Sequence, residues 1–375
     1  MIKNLSINQF LPSLSPHDAI GNETLEIQCI LQDMGFRSDI YCEHIHKDLA
    51  GKAIVSNLDY FKASPNEIMF YHYAVYSKAI LNLASASASV WLRYHNVTPE
   101  RFFDPVTEPH SFQACEIGRK QLPLATLTSE FIFAASEFNK SEIDAIGHSN
   151  STVVPLLRNY EALFSKNSDH DIVAKLDLHK ERNICLFVGR LVPNKRQQDL
   201  IQMIRLYKQF VSDKIRLILV GSSYSKSYEF KLKEYAQDLG LKVCESKAQA
   251  GEDFDILFTG SVRDEELLAL YKSAKVFVSA SEHEGFCIPL VEAMGMGLPI
   301  VAHSSSAIPE TIGKAGLLVN KFNPQEFLSA VKSVLTNEQV QSQLSRLGKV
   351  RHQELSFPAA KKLFVDTIEK LVSQR

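Results

Sequence analysis

The sequence predicts an α/β protein made of two consecutive doubly wound parallel sheets, and three observations carry that expectation. At 375 residues the chain is long enough for two domains, at about 100–200 residues per domain. Short apolar runs alternate with amphipathic stretches along most of its length, which is the pattern of repeated strand–helix–strand units. The alternation is interrupted by a polar stretch from Ser165 to Glu181 that has no clear period. A linker is expected there, so the domains are drawn as 1–170 and 171–357.

The first domain opens with a strand at Ile7–Leu11 and a turn-rich loop holding Pro12, Pro16, His17, Asp18 and Gly21. Asn22 is a candidate N-cap for a helix with Ile27, Ile30, Leu31 and Met34 on one face, closed by Gly35. Strand character resumes at Ser38–Cys42 and again at Glu67–Tyr73. A helix around Ala79–Ala86, strands at Ser89–His95 and Phe131–Ala135, a helix from Asn139 and a short strand at Thr152–Val154 follow. In the second domain strands are expected at Ile184–Val188, Ile215–Val220, Ile256–Thr259, Val276–Ser279 and Pro299–Ala302. Helices are expected at Gln197–Phe210, Tyr228–Leu239, Glu265–Ser273 and Leu290–Met294. After Pro358, read as a breaker, Leu363, Phe364, Ile368, Leu371 and Val372 form one apolar stripe.

Hydrophobic residues make up 45% and charged residues 22% of the chain, the balance of a globular protein. A formal charge of −2 and a pI near 6.6 disfavour nucleic acid, whose binding needs dense Lys/Arg fields. The six cysteines (Cys29, Cys42, Cys115, Cys185, Cys244, Cys287) are scattered singly, so reduced thiols and a cytoplasmic location are expected. No signal peptide and no membrane-spanning run is read. Association with the inner face of a membrane stays open. Clustered metal ligands are absent, and no metal or cofactor is expected.

Chemistry concentrates in two stretches. In Glu284-Gly285-Phe286-Cys287-Ile288-Pro289-Leu290-Val291-Glu292-Ala293 a strand gives way to a helix, with Pro289 placed in the first turn, where its missing N–H costs nothing. The free N–H groups of that turn suit an anion, and Glu284 and Glu292 can accept hydrogen bonds from vicinal hydroxyls. An isolated Glu pair would ordinarily be a first-turn carboxylate and a solvated helix residue. The second stretch is Phe187-Val188-Gly189-Arg190-Leu191-Val192-Pro193-Asn194-Lys195, where Gly189 allows a sharp exit from a strand and two cations stand five positions apart. Such charges suit a departing diphosphate; alone, they would read as a solvated basic loop.

Together with Gly297-Leu298-Pro299-Ile300-Val301 and Pro309-Glu310, these stretches resemble the retaining glycosyltransferase family 4. The resemblance implies the GT-B fold, two Rossmann-like domains facing across a cleft, with the C-terminal helix at 358–375 packed back on the first domain. It implies transfer of a hexose from a UDP- or GDP-sugar to a saccharide or lipid-linked acceptor, without an obligatory metal. By the same resemblance Arg190 and Lys195 stabilise the leaving diphosphate, Glu284 binds hydroxyls of the transferred sugar and Glu292 the donor ribose. The backbone at Phe286, Cys287 and Ile288 meets sugar and diphosphate. Gly189 and Gly221 lie near the nucleotide, Val262 borders the base, Gly21 approaches the phosphates and His95 contacts the donor sugar. Tyr71, His72 and Tyr73 are candidates to line the acceptor site. Cys287 departs from the family, which usually has glycine there.

Other activities fit less well. Neither opening strand carries the G-x-G-x-x-G of a dehydrogenase. A glycosidase needs two carboxylates about 5–10 Å apart across the scissile bond. A phosphorylase or nucleotide-sugar epimerase of the same fold, or a non-catalytic nucleotide-sugar-binding scaffold, are the remaining alternatives.

Overall fold

In the computed structural model, residues 5–16, 18–176, 183–245, 253–320 and 323–375 are described. His17, residues 177–182 of the expected linker, and the first four residues lie outside them. The chain forms two compact units, Met1–Arg158 with Phe357–Arg375, and Asn159–Ser356.

Unit 1 runs β1 (Ser6–Leu14), α1 (Ala19–Asp33), β2 (Ile40–Ile45), β3 (Ile54–Val55), β4 (Glu67–Tyr73), α2 (Ala79–Ser85), β5 (Ser89–Tyr94), α3 (Pro109–Thr128), β6 (Phe131–Ala134), α4 (Glu137–Ile146) and β7 (Ser151–Val153). Its seven parallel strands take the order β3-β2-β1-β4-β5-β6-β7, so the winding reverses between β1 and β4. β1 runs through Pro12 instead of stopping there. Ile7 and Gln9 donate toward β2 and Ser6 toward β4. Pro12, in phase with Ser6, therefore lacks its N–H on the side where pairing with β4 has already ended at Phe10 and Tyr71.

Helix α1 starts earlier than expected. Its N-cap is Asp18, whose Oδ2 accepts from the Gly21 N–H at 2.9 Å, so Gly21 sits inside the first turn and not in a loop. A Cβ there would meet Leu14 Cδ1 and the Ser15 carbonyl at 3.2 Å. Helix α3 escaped the sequence pattern because its buried face is Cys115, Gly118, Leu122, Ala125 and Thr126, mostly small side chains. A Cβ on Gly118 would lie 2.9 Å from the Tyr76 nitrogen.

Unit 2 begins with two short helices, α5 (Tyr160–Phe164) and α6 (His170–Lys175). The boundary at 170 is therefore corrected to Arg158/Asn159: Phe164 packs by Gly295 and His352, and α6 packs on the helix at Asp264–Ser273. The unit continues with β8 (Asn183–Val188), α7 (Gln197–Phe210), β9 (Ile215–Val220), α8 (Lys226–Asp238), β10 (Val243–Cys244), β11 (Ile256–Gly260), α9 (Asp264–Ser273), β12 (Val276–Ser279) and α10 (Ile288–Gly295). It closes with β13 (Ile300–His303), α11 (Ile308–Ile312), β14 (Gly316–Val319), α12 (Pro324–Thr336) and α13 (Glu338–Glu354). The parallel order β10-β11-β9-β8-β12-β13-β14 reverses between β8 and β12.

The last helix, Phe357–Ser373, belongs to unit 1. Pro358 is its second residue and not a breaker ahead of it, a position that needs no N–H partner. Phe364 meets Phe133 at 5.6 Å and Phe70 at 5.9 Å between ring centroids, in a core with Ile7, Trp91, Ile368 and Val372. Phe364→Ala should destabilise unit 1 by about 3–5 kcal/mol, since a buried aromatic leaves a cavity that collapses only in part. Denaturant unfolding followed at Trp91, the chain's one tryptophan, reads this directly. An unchanged midpoint would show that the helix does not complete that core.

Candidate active site

In unit 2 the carboxyl ends of β8 and β12 are neighbours at the reversal of strand order, where open α/β sheets leave a crevice. Their following loops carry both motifs. Asn194 joins them: its Nδ2 donates to the His283 carbonyl at 3.0 Å, and its own carbonyl accepts from the Glu282 N–H at 2.8 Å. Lys195 then reaches Glu284 in a direct ion pair, with side chains 19% and 9% exposed. The Glu284 backbone is held as well, its N–H donating to Ser306 Oγ at 2.7 Å. Arg190 is exposed, and its carbonyl accepts from Gln197 Nε2 at 3.0 Å.

Two glycines let the strand ends approach. A Cβ on Gly221 would fall 2.1 Å from the Gly189 carbonyl oxygen, so no side chain fits at φ +139°. The Gly189 N–H meets the Val220 carbonyl at 2.9 Å. Val262, between β11 and α9, is partly exposed.

Cys287 is the N-cap of α10 and adopts φ 73°, ψ 73°, the left-handed conformation that favours glycine. The departure from the family pattern thus keeps the backbone shape and adds a thiol, which burial first, and then the Glu284 carboxylate, push well above its ordinary range. Ile288 begins the helix, and the carbonyl of buried Phe286 accepts from Thr311 Oγ1 at 2.7 Å. Glu292 is buried in α10 and accepts from the Tyr271 hydroxyl at 2.9 Å. Asn194, Ser306, Tyr271 and Thr311 were not singled out by sequence reasoning. Asn194 stands inside the second motif as an ordinary polar residue beside Lys195, and Ser306, Tyr271 and Thr311 lie on separate elements with no spacing that joins them to the motifs.

His95 lies in unit 1, at the end of β5, in a buried polar cluster. Its Nε2 stands 3.0 Å from His72 Nδ1, and its Nδ1 stands 3.6 Å from Glu23 Oε2. Glu23 is gripped by Arg93, Nη2 to Oε1 at 2.6 Å and Nε to Oε2 at 3.2 Å, and by the Leu157 N–H at 2.8 Å. Tyr71, His72 and Tyr73 are fully buried, so all three face the interior of unit 1 and none lines an open acceptor surface. Glu23, His72 and His95 form the one group among the described residues with metal-like proximity, their ligand atoms within 4.8 Å of one another. Arg93 already holds both carboxylate oxygens of Glu23, and the two imidazoles meet each other directly.

Both imidazoles are held well below their ordinary value of 6.5, by burial first, with Arg93 opposing the charged form of each. The unfolded chain therefore binds protons below pH 6.5 that the folded one refuses. Stability should be full above about pH 7 and fall as the pH drops through 6.5, with a slope of at most about 2.7 kcal/mol per pH unit for two such groups. Thermal unfolding at pH 7.5 and 5.5 measures it, with His72→Gln expected to flatten the slope. A melting temperature equal at both pH values would contradict the neutral pair.

Residues 168–351 match the family of glycosyl transferases group 1. The chain is 25% identical over 233 residues to the O-antigen chain mannosyltransferase B of Escherichia coli, covering 57% of this chain and 53% of that protein. It is 42% identical over 97 residues to the MMP alpha-(1->4)-mannosyltransferase of Mycolicibacterium hassiacum, 25% of this chain and 23% of that one. The chain thus spans about half the length of the first relative, and less of several others. Among solved structures, HepE of Anabaena in complex with UDP and glucose aligns over 98% of this chain and 100% of its own, with TM-score 0.74 and 17% identity. Sucrose-phosphate synthase from Thermosynechococcus elongatus aligns over 99% and 100%, with TM-score 0.73 and 16% identity. These likenesses carry the GT-B fold, two doubly wound parallel sheets in one chain. With both motifs at the strand-order reversal, residues 168–351 of the chain carry a group 1 glycosyl transferase domain.

Proposed function

We propose that the protein transfers a hexose from a nucleoside diphosphate to a saccharide or lipid-linked acceptor with retention of configuration, unit 2 holding the donor and unit 1 receiving the acceptor. The observation that carries this reading is the Lys195–Glu284 pair at the strand-order reversal, beside the N-terminus of α10 and with Glu292 buried one helix face away. Lys195 and Arg190 supply positive charge where a diphosphate departs, and the first-turn N–H groups of α10 add theirs. This makes a metal unnecessary for the leaving group. Glu284, ordered by Lys195 and Ser306, accepts from sugar hydroxyls. Glu292, ordered by Tyr271, accepts from the ribose.

The relatives named as mannosyltransferases favour mannose as the hexose, and a neighbour solved with UDP-glucose keeps uridine in the panel. The work of the enzyme is then in saccharide chain assembly in the cytoplasm. No helix among the described residues is long and apolar enough to cross a membrane. Nucleotide release from UDP- and GDP-hexoses, with and without saccharide or lipid-linked acceptors, tests the reading. Failure of every donor, in a protein that still binds nucleoside diphosphate, would favour the scaffold alternative.

Within the active panel, Arg190→Ala and Lys195→Ala should each lower kcat by roughly 10²–10³, while the donor KM changes little, because their charges matter most as the diphosphate leaves. Steady-state kinetics with near-normal turnover in both would remove that role. Glu292→Ala should instead weaken the free nucleoside diphosphate itself. A loss of one charge-assisted hydrogen bond pair, about 1.5–3 kcal/mol, corresponds to a tenfold or greater rise in Kd by calorimetry, and an unchanged Kd would take Glu292 off the ribose.

A further inference from the structure

Unit 1 has a cavity of about 430 Å³ at the carboxyl end of its sheet, within the size range of small-ligand pockets. Glu43 and His44 come from the end of β2, Val55 ends β3, and Tyr76 and Lys78 lie between β4 and α2. Open α/β sheets take their ligands outside the carboxyl ends of the strands, and β2 and β4 stand on either side of β1, next to the reversal of strand order. Ser77 joins the two sides. Its hydroxyl donates to Glu43 Oε1 at 2.7 Å, and the same oxygen accepts from the Ala79 N–H at 3.1 Å.

The wall made by Ser56 and Asn57 is built in advance. It leads into Leu58, buried in the left-handed conformation at φ 62°, which a bulky side chain adopts only where its surroundings impose it. Here they do: the Leu58 N–H donates to Ser56 Oγ at 3.0 Å, and Asn82 of α2 donates to the Asn57 carbonyl and to Asp59 Oδ1, each at 3.0 Å. Opposite in character are Glu43 Oε2, the His44 ring, the Tyr76 hydroxyl and Lys78 Nζ, which take no hydrogen bond or ion pair among the described residues. Glu43 and Lys78 cancel in formal charge, so neither an anion nor a cation is drawn in by a net field. A carboxylate that only accepts, an ammonium that only donates, and a phenol and an imidazole that can do either together match hydroxyl groups, which are donors and acceptors at once. The Tyr76 ring and the exposed Val55 side chain add apolar surface that suits the C–H face of a sugar ring.

We propose that this cavity is a saccharide subsite of unit 1, binding a neutral sugar of the acceptor through hydroxyls that donate to Glu43 Oε2 and accept from Lys78 Nζ, with the sugar ring against Tyr76. Its part in turnover rests on the hexosyl-transfer reading, whereas the binding is a property of unit 1 alone. Ser77 fixes the Glu43 carboxylate by one oxygen, so the other is presented in a set direction at no further cost in side-chain freedom. A phosphorylated ligand would bring its charge against that carboxylate.

The test has two arms. In the first, the whole protein is titrated with mannobiose, maltose and lactose, and separately with glucose 6-phosphate, and followed by calorimetry and by ¹⁵N–¹H spectra of the histidine rings. At least one neutral disaccharide should bind saturably and move the His44 signals. Glu43→Gln, which keeps an acceptor for Ser77, and Lys78→Ala should each weaken it roughly five- to tenfold. Binding of none of the three, or wild-type affinity in both variants, would overturn the subsite and leave the transferase reading standing. Glucose 6-phosphate bound more tightly than every neutral sugar, and lost in Lys78→Ala, would make the cavity an anion site and overturn the assignment. In the second arm, nucleotide release, the same variants should raise the acceptor KM by a like factor with donor KM within threefold, and an unchanged acceptor KM would overturn the acceptor role. If Glu43→Gln fails to fold, Lys78→Ala, at an exposed side chain, decides. No release by wild type from any donor–acceptor pair would sink the transferase reading, while the titrations still judge the subsite.

Discussion

Taking Lys195 and Glu284 out of water together is the constraint on which the rest of the unit 2 site depends. An ammonium or a carboxylate withdrawn from water alone costs several kcal/mol, and loss of one partner of a buried pair costs about 3–5 kcal/mol. Both are largely buried and they arrive on different loops, so neither loop can settle without the other. The hydrogen bonds of Asn194 to both sides of Glu282–His283 give that coupling a geometry. Gly221 removes the side chain that would strike the Gly189 carbonyl and hold the strand ends apart. The left-handed Cys287 then turns the chain sharply enough that α10 starts beside Glu284. Charge pairing, close backbone approach and a helix N-terminus converge on one point because the sheet reverses its winding there.

Unit 1 meets the same problem with a different solution. Glu23 and Arg93, each 2% exposed in their side chains, form its buried ion pair, and every remaining polar direction around them is occupied. Arg93 also donates to the carbonyls of Val154 and Pro155, and Glu23 takes the Leu157 N–H, so the cluster ties the first turns of α1 to the chain beyond β7. A network of this kind is stabilising only when complete.

Much of the architecture was legible because strand and helix periods differ and because glycine and proline punctuate them. β4, α7, β9 and β12 fall on the expected residues. Elements whose buried faces lack large apolar side chains were missed, as α3 with Gly118 and Ala125 illustrates. The segment after His303 went largely unassigned, although α12 buries Phe327, Val331 and Val334 at helical spacing. Helix starts slipped where capping depended on one side chain: Asp18, four residues ahead of Asn22, captures the Gly21 N–H, and polar residues cluster at both positions.

By itself, the sequence determined the two-sheet α/β class, the strand-to-helix setting of Glu284 and Glu292, and the pairing of Arg190 with Lys195 on one loop. Each of these is a local property, written in spacing, turn residues and apolar period. Only the tertiary structure decided that Lys195 meets Glu284, that Tyr271 orders Glu292, and that His95 faces Glu23 and His72 and not open solvent. Those contacts join residues tens of positions apart, and their energies exist only once sheet order brings the elements together. No period or motif encodes which polar side chain will be left facing which.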